Sequence, residues 1–355
     1  MQCLGPVECQ TFLLLYTRNM IRSSKSDVSM DVLWLDQSDV QSLLDMHSTI
    51  EAVEKGFRQH GLKKVQMPPK SYLYFQKYNG DLRTMPVYIE EEDIAGVKIV
   101  NVHPDNHQKG LPTVMAVIVL NSTQTGAPLA IMDGTFITDM RTGAAGGVAA
   151  KYLARKNSHV VGMVGVGDQA RTQLLALSVI MDIQEVKLFC RNMNHCNHFE
   201  KDMSHVMSCE FLKKDSIKDV CDCDILVTTT PVREPVVRSE WVKDGTHINA
   251  IGADAKGKEE LDPELLLRAK VVVDDIIQAS HSGEINVPLS KGIITEKDIF
   301  CELGEVVSGI HSGRQSYDEI TIFDSTGLAV QDVVTANMIY RKALEQDIGQ
   351  SIRMF

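Results

Sequence analysis

The chain is 355 residues long; 44% of its residues are hydrophobic, 23% are charged and 6% are aromatic. These proportions are typical of a folded globular protein, and at roughly 100–200 residues per domain the length predicts two domains. Asp and Glu outnumber Lys and Arg by 47 to 36, which gives a formal net charge of −11. This balance argues against nucleic-acid binding, because such proteins take most of their affinity from Lys and Arg on phosphates.

The sequence also argues against a membrane or secreted protein. No apolar run approaches the roughly 20 residues that cross a bilayer. The apolar segment 11–16 is too short for the core of a signal peptide, and basic residues follow it instead of preceding it. We therefore predict a cytoplasmic protein whose eight cysteines are reduced thiols. Residues 1–29 have no clear periodicity and are predicted to form a loose extension.

Patterned sequence begins near residue 30 with two helices and a run of strands. Ser38 is predicted to cap a helix over 39–44, and Ser48 a helix over 49–62. Strands separated by Gly, Pro and Asn turn signals are predicted at 72–76, 82–89, 96–102, 113–121 and 128–133. This succession indicates a mainly antiparallel sheet. A small-residue helix is predicted over 142–153, with Arg141 at its opening, where the backbone and the cation could meet a phosphate.

From Val160 onward, short apolar strands alternate with helices. The predicted strands are 160–164, 186–189, 225–229, 247–251 and 271–274, and the predicted helices are 169–181, 216–220 and 263–269. Such alternation predicts a parallel sheet covered by helices on both faces. A last strand over 319–323, followed by a helix through 344, has no partner strand of its own. It is predicted to pack back on the first region.

A dinucleotide-binding motif opens the alternating half. The apolar strand 160–164 is followed by Gly165 and Gly167 in the pattern Gly-x-Gly-x-x-Ala, and a helix follows at once. Glycines there let the backbone approach a pyrophosphate, which lies against the free N–H groups of the helix N-terminus. A tight turn without a ligand is the alternative, but the strand before the motif and the helix after it favour dinucleotide binding.

The residue that chooses between NAD and NADP departs from the usual pattern. The second strand of such a domain should end in an acid that holds the ribose 2′-hydroxyl of NAD. Cys190 stands at that position and Arg191 follows it. A cation there suits a 2′-phosphate, so NADP is a serious alternative to NAD. Arg191 as a solvated surface charge is equally consistent with the sequence.

Several charged residues interrupt apolar segments and are candidates for binding or acid–base chemistry. Lys98 lies inside an apolar strand, where its side chain must turn to solvent or face a polar site. Lys70 and Arg83 could hold a carboxylate, the arginine in bidentate fashion. Asp254 follows the strand 247–251, at the edge of a parallel sheet where ligands gather. For each of the three cations the alternative is an ordinary surface charge.

No metal site is predicted. Cysteine and histidine residues cluster between 190 and 209, with Cys221 and Cys223 beyond. None of them has the paired Cys-x-x-Cys spacing of a structural zinc site. Their position after the second strand instead predicts an ordinary helix of the cofactor-binding region.

Five ordered motifs resemble the ornithine cyclodeaminase/mu-crystallin family, and the similarity runs from about Val32 to the C-terminus. They are 98–104 (KIVNVHP), 111–116 (LPTVMA), 140–145 (MRTGAA), 249–254 (NAIGAD) and 322–327 (IFDSTG). The segments 66–70 (QMPPK) and 80–86 (GDLRTMP) are most similar to the archaeal-type alanine dehydrogenases within that family.

The resemblance implies a homodimer with an α/β fold: a Rossmann dinucleotide-binding domain over 141–310 and an α+β substrate and dimerisation domain over 30–140, completed by 311–355. It makes Lys98 and Asp254 catalytic, and places substrate binding on Lys70, Arg83, Lys98 and Thr326. It also implies cofactor contacts from Thr113, Arg141, Asp168, Gln169, Thr230, Lys258 and Ser325. The predicted cofactor-binding set is completed by Gly165 and Gly167 of the glycine motif, Cys190 and Arg191 after the second strand, and Ile251, Gly252 and Ala253 of the 249–254 motif. Cys190 departs from NAD-using relatives, which have an aspartate there, whereas NADP-binding mu-crystallin has Asn-Arg-Thr at 190–192.

The function implied first is the reversible NAD- or NADP-dependent reductive amination of pyruvate by ammonia, which gives L-alanine. Ornithine cyclodeamination ranks second, because cyclodeaminases have an acid at the position of Arg83 to hold the substrate's distal amine. Reduction of a cyclic ketimine ranks third. A non-catalytic nicotinamide-binding protein is the alternative from another class, and the presence of both Lys98 and Asp254 argues against it.

Overall fold

The computed structural model describes residues 31–354, so the predicted extension over 1–29 lies outside the described residues. Within that range the chain forms two eight-stranded sheets with helices packed against them. The α/β fold class predicted from the sequence is confirmed. No helix of the described residues is long and apolar enough to cross a membrane.

The first sheet contains the strands of the N-terminal region and the C-terminal strand. In chain order they are β1 (Asp31–Leu35), β2 (Val65–Gln66), β3 (Ser71–Phe75), β4 (Gly80–Ile89), β5 (Ile94–Val102), β6 (Val114–Ser122), β7 (Pro128–Asp133) and β16 (Gln350–Arg353). Their order is β16-β1-β7-β6-β5-β4-β2, with β3 also paired to β4. All neighbours are antiparallel except β1 and β7. The predicted mainly antiparallel sheet is confirmed.

Four helices belong to this half: α1 (Gln37–Leu43), α2 (Met46–Gly61), α3 (Thr135–Leu153) and α11 (Ala329–Gln346). The predicted caps Ser38 and Ser48 are wrong by a few residues. Asp36 and Asp45 occupy the N-cap positions, and their carboxylates accept the free backbone N–H groups of the first turn. Both serine hydroxyls donate to those aspartates, which explains why the serines looked like caps.

The second sheet is entirely parallel, as predicted. Its strands are β8 (Val160–Val164), β9 (Glu185–Phe189), β10 (Glu210–Lys213), β11 (Ile225–Thr228), β12 (His247–Ala250), β13 (Lys270–Val273), β14 (Ile299–Glu302) and β15 (Thr321–Asp324). The order is β10-β9-β8-β11-β12-β15-β13-β14. The helices of this half are α4 (Asp168–Ile180), α5 (Met193–Met203), α6 (Ile217–Val220), α7 (Pro263–Arg268), α8 (Ile276–Ser282), α9 (Asn286–Ser290) and α10 (Leu303–Val307).

The prediction that the strand near 319–323 packs on the first region is wrong. This strand, β15, lies inside the second sheet and is paired on one side to β12 and on the other to β13. Each residue of β15 is buried, as expected for a central parallel strand covered on both faces. The helix that follows, α11, does return to the first half, where it packs against α2, α3 and β5. The chain therefore crosses between the two halves directly after β15.

The cysteines differ in part from the prediction of reduced thiols. Cys190 and Cys196 form a disulfide across the first turn of α5, with their Cα atoms 6.3 Å apart. The turn after β9 brings the two side chains together, with five residues between them in the sequence. Among the described residues, Cys209, Cys221, Cys223 and Cys301 are free thiols. Residues 31–354 also contain no cluster of three or more side chains that could hold a metal ion.

Candidate active site

A cavity of about 260 Å³ lies between the two sheets and brings together most of the predicted site residues. One wall comes from the first sheet and α3, and the other from loops at the carboxyl ends of β11, β12 and β15. The predicted residues that line the cavity are Lys70, Arg83, Lys98, Arg141, Gln169, Thr230, Ile251, Gly252, Asp254, Lys258, Ser325 and Thr326. The remainder lie outside its lining: Thr113, Gly165, Gly167, Asp168, Cys190, Arg191 and Ala253.

The cations of the cavity are held by fixed partners. Two parallel contacts of 3.0 Å join the Arg83 guanidinium, through Nε and Nη2, to the carboxylate of Asp81. The remaining nitrogen, Nη1, lies 3.4 Å from Oδ2 of Asp254. Lys70 donates from Nζ to the backbone carbonyl of Thr326. Burial lowers the pKa of Lys70 to about 8, although the carboxylate of Asp274 opposes that shift.

Lys98 faces the polar interior. Its position on β5 puts Nζ 2.7 Å from Oδ1 of Asp332 and 3.3 Å from the hydroxyl of Thr138. The side chain is 1% exposed. Burial and the adjacent Arg141 cation lower the pKa of Lys98 to about 7, against the attraction of Asp332. The lysine can therefore take up or release a proton near neutral pH.

Asp254 projects from the loop after β12, and its carboxylate lies between two cations, Arg83 and Lys258. Burial alone would raise the pKa of Asp254, but Lys258 and Arg83 outweigh it and lower the pKa below its usual value. The carboxylate side chain is 40% exposed, so it remains accessible from the cavity. Asp254 and Lys98 line the same cavity, so an ionised carboxylate and a lysine with a near-neutral pKa are available there for separate acid and base roles.

The prediction that Arg141 opens a helix is wrong. The helix α3 begins at Thr135, so the backbone N–H of Arg141 already lies within the helical ladder and cannot meet a phosphate. The guanidinium is buried instead, with Nε 2.8 Å from Oδ1 of Asp332 and Nη1 donating to Gln331 over 2.7 Å. The helix begins earlier than the small-residue pattern indicated because Gly134 and Thr135 directly follow β7.

The loop after β8 has the geometry of a dinucleotide-binding turn. Gly165 has a φ of +101°, which side chains rarely adopt, and a Cβ there would approach the Thr229 hydroxyl to 2.7 Å. Gly167 is the N-cap of α4 without a side-chain cap, and the space around its would-be Cβ is open. The first N–H groups of α4 are therefore left without a side-chain cap, as an anion site requires.

Three buried polar atoms around the cavity also fit a bound dinucleotide. The hydroxyls of Thr229 and Ser325 and the amide oxygen of Gln169 have no hydrogen-bond partner within residues 31–354. Buried polar atoms are rarely left unpaired, so each is a candidate contact for a ligand. The other end of the Gln169 amide donates to Asp139 over 2.6 Å. The residues present thus fit the nicotinamide cofactor that the motif predicts.

Buried carboxylates that the sequence analysis did not single out order the loops of the site. Glu260 accepts the backbone N–H groups of Thr230 and Gly252, and so joins the loops after β11 and β12. Asp274 accepts the backbone N–H of Thr326 over 2.6 Å and its hydroxyl over 2.9 Å. Acidic residues are usually exposed, so the position of Asp274 directly after the apolar strand β13 was an available signal, whereas Glu260 lies in a loop and gave none.

The region predicted to meet the adenosine ribose has no carboxylate at the expected position. Cys190 follows β9 directly, and its sulfur is bonded to Cys196. Arg191 is exposed, and Asn192 caps α5. The chain therefore presents an exposed cation and no carboxylate directly after β9.

Comparison with known proteins shows similarity along nearly the whole described chain. The profile of the ornithine cyclodeaminase/mu-crystallin family matches residues 30–347. Alanine dehydrogenase of Archaeoglobus fulgidus is 52% identical over 330 residues, which is 92% of this chain and 99% of that protein.

Two solved structures have the same fold. An archaeal alanine dehydrogenase dimer with bound NAD superposes with a TM-score of 0.89 at 52% identity, covering 92% of this chain and all of that one. The Δ1-pyrroline-2-carboxylate reductase of Thermococcus litoralis, in complex with NADH and L-proline, superposes with a TM-score of 0.88 at 42% identity. That match covers 90% of this chain and all of the reductase.

Proposed function

Because the chain belongs to the ornithine cyclodeaminase/mu-crystallin family, we propose that it is a nicotinamide-dependent alanine dehydrogenase that interconverts pyruvate plus ammonia and L-alanine. The observation that carries this proposal is the juxtaposition of Arg83 with Asp254 in one cavity, Arg83 Nη1 lying 3.4 Å from the Asp254 carboxylate. Such an arrangement offers a small 2-oxo acid a cation for its carboxylate and an acid–base group for its reacting carbon. The similarity to alanine dehydrogenases along 92% of the chain supports it.

Each residue has a separate task in this proposal. Arg83 and Lys70 hold the substrate carboxylate, and Thr326 fixes the position of Lys70 through its backbone carbonyl. Lys98 and Asp254 move protons at the substrate nitrogen and oxygen as ammonia adds and water leaves. When bound, a nicotinamide cofactor would supply the hydride for amination and accept it in deamination. The residues that would hold that cofactor are Gly165, Gly167, Asp168, Gln169, Thr230, Ile251, Gly252, Ala253, Lys258 and Ser325, together with Thr113 and Arg141.

Reduction of a cyclic imine is the second candidate, and the apolar wall of the cavity favours it. Met85, Val100, Val102 and Val114 line the side formed by the first sheet. They could take a ring larger than the methyl group of pyruvate, and the similarity to the reductase bound to L-proline supports this reading. Ornithine cyclodeamination fits less well, because the Arg83 guanidinium would repel a distal ammonium group.

The deciding experiment measures initial rates of reduced-nicotinamide oxidation with NADH and with NADPH separately. Pyruvate plus ammonium, Δ1-pyrroline-2-carboxylate and a larger cyclic ketimine are the substrates, and ammonia release from ornithine is followed in parallel. The alanine dehydrogenase proposal requires pyruvate with ammonium to give the highest kcat/KM. A higher value for a cyclic imine would replace it with the second candidate, and ammonia release from ornithine alone would replace both.

Replacing Cys190 with Asp is expected to shift cofactor preference toward NADH. A carboxylate after β9 accepts a hydrogen bond from a ribose 2′-hydroxyl and repels a 2′-phosphate. We expect the ratio of kcat/KM for NADH over NADPH to rise about tenfold or more, which is about 1.4 kcal/mol of discrimination. The matched control is Cys190→Ser, which also removes the disulfide without adding charge. An equal shift in both variants would assign the effect to the disulfide.

We also propose that the chain forms a homodimer. Residues 30–140 and 311–355 would form the substrate and dimerisation domain, and residues 141–310 would bind the dinucleotide. The strand β15 is an exception to this division, because it belongs to the second sheet. The similarity to an alanine dehydrogenase dimer supports the assembly. On the first sheet, Ile99, Met115 and Val117 share an outer face and are 36%, 39% and 42% exposed. Light scattering is expected to give the mass of two chains. Replacing Val117 with Lys should lower it toward one, whereas an unchanged mass would exclude this face.

A further inference from the structure

A buried carboxylate on α11 contacts two cations of the cavity at once. Oδ1 of Asp332 lies 2.7 Å from Nζ of Lys98 and 2.8 Å from Nε of Arg141. The Asp332 side chain is 0% exposed, and the residue lies in the first turn of its helix. Neither the sequence motifs nor the proposed function above gives this residue a task.

The two cations reach Asp332 from different parts of the fold. Lys98 lies on β5 in the first sheet, and Arg141 lies on α3. The Asp332 carboxylate therefore links β5 and α3 to its own helix, α11. Removing one partner of such a buried pair is costly because it leaves an uncompensated charge away from water. The geometry therefore fixes where the Lys98 ammonium can lie.

Other groups around Lys98 do not replace this contact. Thr138 contributes a neutral hydroxyl at 3.3 Å. Arg141 and Lys70 are cations that disfavour a charged Lys98. Asp139 on α3 is a second carboxylate nearby, but it accepts a hydrogen bond from the Gln169 amide, and burial together with Asp168 raises its pKa to about 6. Asp332 is thus the carboxylate in direct contact with the lysine nitrogen in the described cavity.

We propose that Asp332 is a positioning residue of the active site. Its Oδ1 holds Lys98 Nζ in place for proton exchange with the substrate, and the same oxygen holds the Arg141 guanidinium beside the lysine. The assignment rests on the proposed function only in that Lys98 is taken as a proton-transfer group. It concerns the position and proton affinity of the lysine, and so applies to pyruvate amination and cyclic imine reduction alike.

The proton affinity of Lys98 gives a test that needs no substrate. Burial and Arg141 lower the pKa of Lys98 to about 7, and the carboxylate of Asp332 opposes that shift. Replacing Asp332 with Asn removes the attracting charge and leaves the two opposing influences. The pKa of Lys98 is then expected to fall by about one unit or more, a tenfold or greater loss of proton affinity.

Competitive labelling with trace acetic anhydride, read by peptide mass spectrometry as a function of pH, measures this change. The exposed Lys109 is the internal reference for reagent. Asp347→Asn is the matched control, because it removes one exposed carboxylate from the end of the same helix. We expect the labelling midpoint of Lys98 to fall in Asp332→Asn and to stay unchanged in Asp347→Asn. An unchanged midpoint in folded Asp332→Asn would overturn the proposal.

A second variant separates charge from position. Asp332→Glu keeps the charge one methylene further out, so the Lys98 midpoint should remain near that of the wild type. Turnover should nevertheless fall about tenfold to hundredfold, because a displacement of about 1 Å in a reacting group has that effect. Unchanged turnover would contradict the positioning role.

The activity arm uses whichever substrate the wild type turns over. If the wild type fails with pyruvate and ammonium, the alanine dehydrogenase proposal fails, while the labelling result for Asp332 still stands or falls by itself. A purely structural role would lower kcat only in step with the melting temperature, whereas the positioning role predicts a loss of kcat in Asp332→Glu that exceeds any loss of melting temperature.

Discussion

Replacing Asp254 with Asn is expected to reduce kcat by about 10²- to 10⁴-fold with little change in cofactor affinity, because a positioned acid–base group typically contributes that much. The asparagine keeps the size and one oxygen of the side chain but cannot accept a proton. Its contacts to Arg83 and Lys258 weaken without a steric change. The loss should therefore fall on the chemical step.

Steady-state kinetics with pyruvate and ammonium, together with NADH fluorescence titration, separate these effects. Asp244→Asn is the control: it removes one carboxylate from an exposed position paired with Arg268. Turnover close to that of the wild type in Asp254→Asn would remove Asp254 from the catalytic role. A non-catalytic nicotinamide-binding protein would show no turnover in either form while both forms still bound NADH.

The strands of the site were predictable because their patterns are local. The alternation of strands and helices after Val160 predicts a parallel sheet, and the predicted bounds of β8 are those of the structure, Val160–Val164. The strand β15 was misplaced because its partners β12 and β13 are far away in sequence, and an apolar run alone does not say which sheet receives it. Arg141 was misjudged for a related reason, since the small residues after it hid the true start of α3 at Thr135.

The residues of the site also fall into two groups, those that a local sequence motif identifies and those that only the fold brings into the site. The residues that we propose to touch a ligand stand in recognisable motifs, and Lys98, Asp254 and Thr326 all line the cavity. The buried carboxylates contact residues that are distant in the sequence. Asp274 accepts from Thr326, 52 positions away, and Asp332 pairs with Arg141 and Lys98, 191 and 234 positions away. Glu260 accepts from the loops after β11 and β12. No spacing rule relates such partners, because only the fold brings them together.

Replacing Arg83 with Met is expected to raise KM for pyruvate about hundredfold, with a smaller loss in kcat. Truncating one partner of a buried charge pair costs about 2–5 kcal/mol, and the substrate carboxylate is present in both ground and transition states. Asp81 would lose both of its guanidinium contacts, and Asp254 would lose one of the cations that lower its pKa. The pKa of Asp254 should therefore rise in this variant, and the pH dependence of kcat should shift to higher pH.

Two further variants make the result specific to Arg83. Arg83→Lys keeps the charge but not the planar fork that grips Asp81, so its KM should lie between those of the wild type and Arg83→Met. Arg238→Met, at an exposed arginine, controls for the loss of a surface cation and should leave KM unchanged. The opposite outcome is informative too. If Arg83→Met left KM for pyruvate unchanged and lowered KM for ornithine, the guanidinium would be an obstacle to a distal amine, and the carboxylate would have to be held by Lys70 with Arg141 instead.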